Sequence, residues 1–291
     1  RFPKKYEHLA PAKPNSKIDR LVSFVDLAPS VLSLVGVEIP TYMQGKAFLG
    51  NQDTTPREYV HLFRGRMDER IDMVRAVRDE KFRYIKNYMP HRIYGQYIEY
   101  LWRAPSCKSW EDAFKAGECN KAQSAFWNQK PPEELYDVTL DPWEVNNLAR
   151  DSKYTEVLER MRKETNRWMT EIRDTGLMPE GEMSTKNSTQ YSFDFAHSNA
   201  YRIPEILKAA NVATLRDRSN LRELKEFMEH ENATVRYWGA TGCLILGMEA
   251  DSAKNNLLKL LKDQNADVRI TAAEALCNIG KSDLAIPVLI E

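Results

Sequence analysis

The sequence predicts an α+β fold followed by an all-α solenoid, and three observations carry that expectation. A charged run from Arg66 to Arg70 leads into two short β-prone segments, Met73–Val77 and Phe82–Tyr88, on either side of Asp79-Glu80, which reads as a hairpin with a charged mouth. From Tyr154 onward Val157, Leu158, Met161, Trp168, Met169 and Ile172 recur at three and four, the pattern of a long amphipathic helix that needs a sheet to lie on. Further on the chain repeats itself: Asn232-Ala233-Thr234-Val235-Arg236 matches Asn265-Ala266-Asp267-Val268-Arg269, and Gly247 matches Gly280, each offset by 33 positions. Two helices per unit at that period indicate an α-solenoid, in which each repeat buries its apolar face only against a neighbour.

The elements follow in order. Pro3, Pro11 and Pro14 make the first 17 residues an extended approach segment. Leu21–Val25 reads as a short strand ending at Asp26, the expected N-cap of a helix through Leu34 with Pro29 in its first turn and Gly36 at its end. The apolar set Leu27, Val31, Leu34 and Val35 then shares one side of that helix. A strand near Tyr59–Phe63 precedes the charged mouth. The hairpin turn lacks Gly, so a loop of three to five residues is expected; apolar residues at both parities of its strands place them in a sheet covered on both faces. Tyr94 to Trp127 reads as helical in pieces, Glu134–Val138 as a brief strand, and Asp141-Pro142-Trp143-Glu144 as a turn. A stretch rich in Ser, Thr, Asn and Gly from Gly176 to Phe195 marks a boundary. The expected division is 1–182, a linker with a short helix over 183–220, and repeats over 221–291, the third of which begins at Leu284.

At 291 residues two domains are expected, with 42 basic and 42 acidic side chains in balance. A net charge of zero gives no electrostatic case for a nucleic-acid or acidic-membrane partner, and no apolar run approaches the roughly 18 residues that span a bilayer. Cys107, Cys119, Cys243 and Cys277 lack the spacing of a zinc site or disulfide scaffold; Cys107 and Cys119 either pair in an oxidising compartment or stay free. The chain opens on Arg with no leader, which suggests processing or a piece of something longer.

Arg66, Asp68, Glu69 and Arg70 are the candidates for groups that face a cleft. Arg holds a sulfate or carboxylate through two parallel N–H bonds, and Asp accepts from sugar hydroxyls. The bland alternative is a solvated strand entry with local ion pairs. His91, beside Arg92, is a candidate for the same pocket, or an incidental loop histidine. Trp102, Trp110 and Trp127 suit core packing better than sugar stacking. Asp137, Asp141 and Glu144 suggest paired carboxylates for acid/base work, a metal loop, or a structural turn, and the sequons at Asn187 and Asn232 are common by chance.

Several ordered pieces resemble one family. Leu21 to Ser30, Met43-Gln44-Gly45, Arg66 to Arg70, Val77 to Tyr88, Glu133 to Asp137 and Asp141 to Leu148 together are similar to the C-terminal part of type I sulfatases, of the bacterial branch like heparan N-sulfatases and other glycan sulfatases. From about Leu221 the chain is similar to HEAT repeats, whose family role for Arg236 and Arg269 is hydrogen bonding between repeats. The sulfatase resemblance implies hydrolysis of sulfate esters or sulfamates on glycans, in a periplasmic or secreted protein. It also implies a formylglycine nucleophile made from a C/S-x-P-x-R motif beside a calcium ion. No Cys or Ser here begins that motif; the nearest look-alike, Pro90-His91-Arg92, has Tyr88 at the nucleophile position. The chain is therefore expected to carry neither nucleophile nor metal site and to be inactive alone, with a protein partner possible on the repeats. The other reading is a non-catalytic interaction module built on those repeats.

Overall fold

The computed structural model describes residues 2–52 and 55–290. Along the chain come α1 (Leu27–Val35), β1 (Val60–Arg64), β2 (Val74–Arg78), β3 (Phe82–Asn87), α2 (Glu99–Trp102), α3 (Pro105–Lys115), α4 (Lys121–Ala125) and β4 (Glu133–Asp137). Then follow α5 (Thr155–Glu171), α6 (Glu180–Asn187), α7 (Ser192–His197), α8 (Ile203–Ala213), α9 (Leu221–Phe227), α10 (Ala233–Leu246), α11 (Lys254–Leu260), α12 (Ala266–Asn278) and α13 (Ser282–Ile290). The four strands form one antiparallel sheet in the order β1-β2-β3-β4, a meander. Two compact units divide the chain: Arg1–Leu62, Ala76–Tyr84 and Leu135–Met161 in the first, Phe63–Arg75, Ile85–Glu134 and Arg162–Glu291 in the second.

In the first unit, Val77, Phe82, Tyr84 and Leu135 of the sheet bury against Leu158 and Met161 of α5, the expected helix-on-sheet layer. The hairpin loop has three residues, as its lack of Gly suggests. The Asp79 carboxylate closes it by accepting from the backbone N–H groups of Lys81 (2.8 Å) and Phe82 (2.5 Å). Arg160 of α5 then reaches over to Asp79 (2.6 Å) and the Tyr59 hydroxyl (2.7 Å).

Two local expectations fail in this unit. Leu21–Val25 is not a strand: Ser23 leads instead into a single tight turn at Phe24–Asp26, and no sheet edge takes the segment up. Nor does the Asp26 carboxylate cap α1. It accepts from the N–H groups of Ser23 (2.9 Å) and Lys46 (2.7 Å) and binds the Arg57 guanidinium, whose hydrogen bonds, with those backbone donors, hold its pKa below the ordinary carboxylate value against the opposing effect of burial. α1 buries Pro29, Ser30 and Ser33, because the two serine hydroxyls receive Phe48 N–H (3.0 Å) and Gln52 N–H (2.8 Å). Its apolar residues Leu27, Val31 and Val35 lie exposed, as do the neighbouring Phe24 and Val25. Gly36 ends the helix at φ +74°, in the left-handed C-cap position.

The second unit has a continuous core that runs from Met73, Tyr88 and Met169 through Leu177, Ile206 and Trp238 to Leu276 and Ala285. Trp238 of α10 donates from Nε1 to the Leu177 carbonyl (2.9 Å) and meets the Tyr88 ring edge-on at 5.9 Å. The 174–220 stretch carries α6, α7 and α8, and Ile206, Leu207, Ala209 and Ala210 of α8 belong to that core. The repeated pentapeptide now has a physical content. Asn232 and Asn265 cap α10 and α12, while Val235 and Val268 point into the core. Arg236 bridges to Asp263 beyond α11 (2.6 and 2.9 Å), and Arg269 donates to the Asp263 and Gln264 carbonyls. No helix is long and apolar enough to cross a membrane among the described residues.

Candidate functional site

The charged mouth is a tight loop between β1 and β2. Met67 and Arg70 exchange backbone hydrogen bonds in both directions (2.8 and 2.9 Å), so Asp68 and Glu69 form the turn, and Asp68 takes φ +44°, a conformation Asp tolerates better than most residues. Each flanking side chain is then tied down. Arg66 makes a fork to Glu180 at the start of α6 (2.8, 2.8 and 2.5 Å), which raises its pKa. Glu69 accepts the Glu99 N–H at 2.7 Å, capping α2 from across the chain, and its pKa falls with that bond. Arg70 donates from Nε to the Tyr97 carbonyl at 2.6 Å, and Gln96 donates to the Ile71 carbonyl at 3.2 Å.

The loop therefore differs from a row of solvated charges. Arg66 is neutralised by a carboxylate, and Glu69 is committed to a backbone cap. Arg70 is held by one nitrogen while its two Nη groups carry no hydrogen bond or ion pair among the described residues, leaving a preset two-pronged donor. The Asp68 carboxylate is exposed on the turn. Below the loop, Asp72 is buried and accepts from Met73 N–H (2.9 Å) and from the fully buried Lys130 ammonium, which fixes the loop's root.

His91 lies apart from this group. No hydrogen bond or ion pair joins it to the loop among the described residues, and its Nδ1 is buried with no partner. Burial, and the cations of Arg92, Lys130 and Arg216, push its pKa down to about 3, so it is neutral at physiological pH. Tyr88, at the nucleophile position of the look-alike motif, is fully buried. Its hydroxyl meets Asn211 Oδ1 (3.1 Å) and the Met169 sulfur (3.4 Å), and burial raises its pKa further from any useful nucleophile.

The remaining candidates resolve into structure. Trp127 is buried among Trp102, Trp110, Phe114 and Phe126, with Trp110 stacked on Phe126 at 4.7 Å, an aromatic cluster closed on itself whose Trp110 stays partly exposed. Asp137 caps its own turn through Thr139 and Leu140, Asp141 accepts Asn146 N–H (2.8 Å), and Glu144 pairs with Arg83 (2.8 Å). All four cysteines are free thiols. Among the described residues no group of three or more His, Cys, Asp or Glu side chains is arranged to hold a metal ion.

Comparison with known proteins assigns two parts of the chain. Residues 1–109 match the family model of N-sulphoglucosamine sulphohydrolase, C-terminal, and residues 221–291 match that of HEAT repeats. An ulvan-active sulfatase of Formosa agariphila is 40% identical over 187 residues, 64% of this chain and 30% of that protein. A second ulvan-active sulfatase of that bacterium is 27% identical over 163 residues, 54% of this chain and 30% of its own length. The N-sulphoglucosamine sulphohydrolase of Homo sapiens is 25% identical over 187 residues, 58% of this chain and 36% of that protein. A solved structure of a putative sulfatase from Bacteroides thetaiotaomicron aligns at 22% identity with a TM-score of 0.33, over 50% of this chain and 24% of that one. The chain spans about a third of the length of the curated relatives it matches. In sequence, residues 1–109 are thus similar to the C-terminal part of a sulfatase, and residues 221–291, which hold the 33-residue helical repeat, to HEAT repeats.

Proposed function

We propose that this chain supplies the substrate-recognising wall of a sulfatase that hydrolyses sulfate esters or sulfamates on a glycan. The observation that carries the reading is Arg70, anchored through Nε on the Tyr97 carbonyl with neither Nη group in a hydrogen bond or ion pair among the described residues, inside the 1–109 stretch that matches the family model of N-sulphoglucosamine sulphohydrolase, C-terminal. A guanidinium fixed in this way meets a sulfate or carboxylate with little further loss of freedom, so its role is to bind and orient the anionic sugar. Asp68, on the same turn, accepts from sugar hydroxyls. Arg66 and Glu69 hold the loop in place rather than touch the sugar, and His91, apart from the loop, stays neutral.

A formylglycine and a calcium ion, if the enzyme containing this chain uses them as sulfatases do, would supply the nucleophile and the stabilisation of developing charge, and the residues of this chain would bind and orient the sugar. A periplasmic or secreted location goes with that family chemistry, and the HEAT repeats offer a surface for a protein partner. The test has two arms. The 291-residue chain alone should not turn over an aryl sulfate, and clear turnover would overturn the assignment of roles. The enzyme that contains this chain together with a C/S-x-P-x-R segment should hydrolyse a sulfated glycan in a calcium-dependent way. The second reading, an interaction module without catalysis, is favoured by the missing motif and predicts no such activity in any form of the protein.

A further inference from the structure

We propose that the helical repeats position the loop of Arg66 to Arg70, with α6 as the link and Thr234 and Asp267 as the positioning residues. The inference deepens the recognition role proposed above and rests on it.

The matched pentapeptides, Asn232 to Arg236 and Asn265 to Arg269, differ at one position, Thr234 in the first and Asp267 in the second. The shared Asn, Val and Arg serve the repeats themselves, as caps, core and links between turns. The position that differs serves α6. Thr234 donates its hydroxyl to Glu182 Oε2 at 2.9 Å, and the Asp267 carboxylate accepts the Glu182 N–H. A donor on one repeat and an acceptor on the next thus meet the two poles of a single residue in the first turn of α6, where backbone N–H groups lack helical partners. Gly181 permits this approach, since a Cβ there would stand 2.7 and 2.8 Å from the Asp267 oxygens. Trp238 holds the segment just before α6 as well, through the Leu177 carbonyl at 2.9 Å.

The helix held in this way begins with Glu180, which receives the Arg66 guanidinium in its fork (2.8, 2.8 and 2.5 Å). Arg66 Nη1 donates in turn to Asp68 O at 3.4 Å, inside the turn that Met67 and Arg70 close with their paired backbone hydrogen bonds. A continuous path therefore runs from α10 and α12 through α6 to the loop that presents Arg70, all of it within the second unit. An exposed Arg–Glu pair between two mobile partners contributes little in water. Here the carboxylate sits on a docked helix, so less freedom is lost in making the contact and the loop gains a fixed point. The repeats thus set the geometry of the loop, whether or not a protein partner occupies their surface.

Amide hydrogen exchange of the 291-residue chain tests this, read at Met67 and Arg70, whose N–H groups are both hydrogen-bonded. The control is Gly117 and Glu118, hydrogen-bonded in a surface turn after α3 that lies off the path. Asp267→Ala, Thr234→Val and Glu180→Ala should each speed exchange at Met67 and Arg70 about threefold or more and leave the control turn unchanged. Asp267→Asn, which keeps an acceptor for the Glu182 N–H, should retain wild-type exchange at the loop. Wild-type exchange at the loop in any of the first three variants, a loss in Asp267→Asn equal to that in Asp267→Ala, or an equal rise at the loop and the control turn would overturn the inference. The exchange is read without substrate, so the hold on the loop is tested apart from whether Arg70 reads a sugar, which KM for the sulfated substrate decides.

Discussion

Lys86, on β3, is 3% exposed with its ammonium 5.7 Å from the centre of the Tyr88 ring. Burial drives its pKa down to about 8, only partly offset by Glu133. In the unfolded chain the same group titrates near 10.5, so the unfolded state binds the proton more tightly. Stability contributed by this group is therefore highest above about pH 10.5 and is lost as the pH falls towards 8. Replacing Lys86 by Met should raise stability at pH 7 by roughly 1–3 kcal/mol, and the gain should shrink between pH 8 and 10.5. Urea unfolding of both proteins across that range checks it; a gain that does not depend on pH would point to packing instead. Nothing in the local sequence shows this, since Lys in a β-prone run normally faces water.

At the scale of elements, α6 meets α12 closely at Asp267. Pro179, the residue before α6, brings no side-chain cap; the Asp267 carboxylate receives the Glu182 N–H instead, and Glu182 accepts the Thr234 hydroxyl at 2.9 Å. A Cβ on Gly181 would sit 2.7 and 2.8 Å from the two Asp267 oxygens. Gly181→Ala should thus cost about 1–2 kcal/mol despite its better helix propensity, and Gly181→Ala in an Asp267→Ala background should cost far less, as thermal unfolding of the four proteins would reveal.

The hairpin, α5 and the repeats were legible because each is written in local periodicity or in a matched pentapeptide. The Leu21–Val25 strand was misread because an apolar run carries no information about whether a sheet edge is there to receive it. α1 was half read: its limits followed from Pro29 and Gly36, but the side it buries was decided by Phe48 and Gln52, 18 and 19 residues away from their serine partners. In the candidate site, Arg66 to Arg70 stood out as too charged for a core. The partner that occupies Arg66 lies 114 residues on, and the Tyr97 carbonyl that aims Arg70 is backbone, which sequence never singles out.

Over the whole molecule, the first unit displays Phe24, Val25, Leu27, Val31 and Val35 together on and just before α1, with Phe24 at 87% exposure. A contiguous apolar surface of that kind binds dyes and promotes self-association. The isolated chain is expected to bind an environment-sensitive hydrophobic dye, and Val31→Glu with Val35→Lys should lower both the dye signal and light scattering while changing unfolding free energy by no more than about 0.5 kcal/mol. A large loss of stability in that variant would mean the face is packed after all.

In the role proposed for it, Arg70 reads an anionic sugar rather than serving the chemistry at sulfur. Its most direct measurement is KM for a sulfated oligosaccharide and for a small aryl sulfate, in the enzyme carrying Arg70→Ala. A rise of about tenfold for the oligosaccharide, on the order of 1.4 kcal/mol, with the aryl sulfate changed less than about twofold, is the predicted result. Equal changes for both substrates, or a loss confined to kcat, would contradict it.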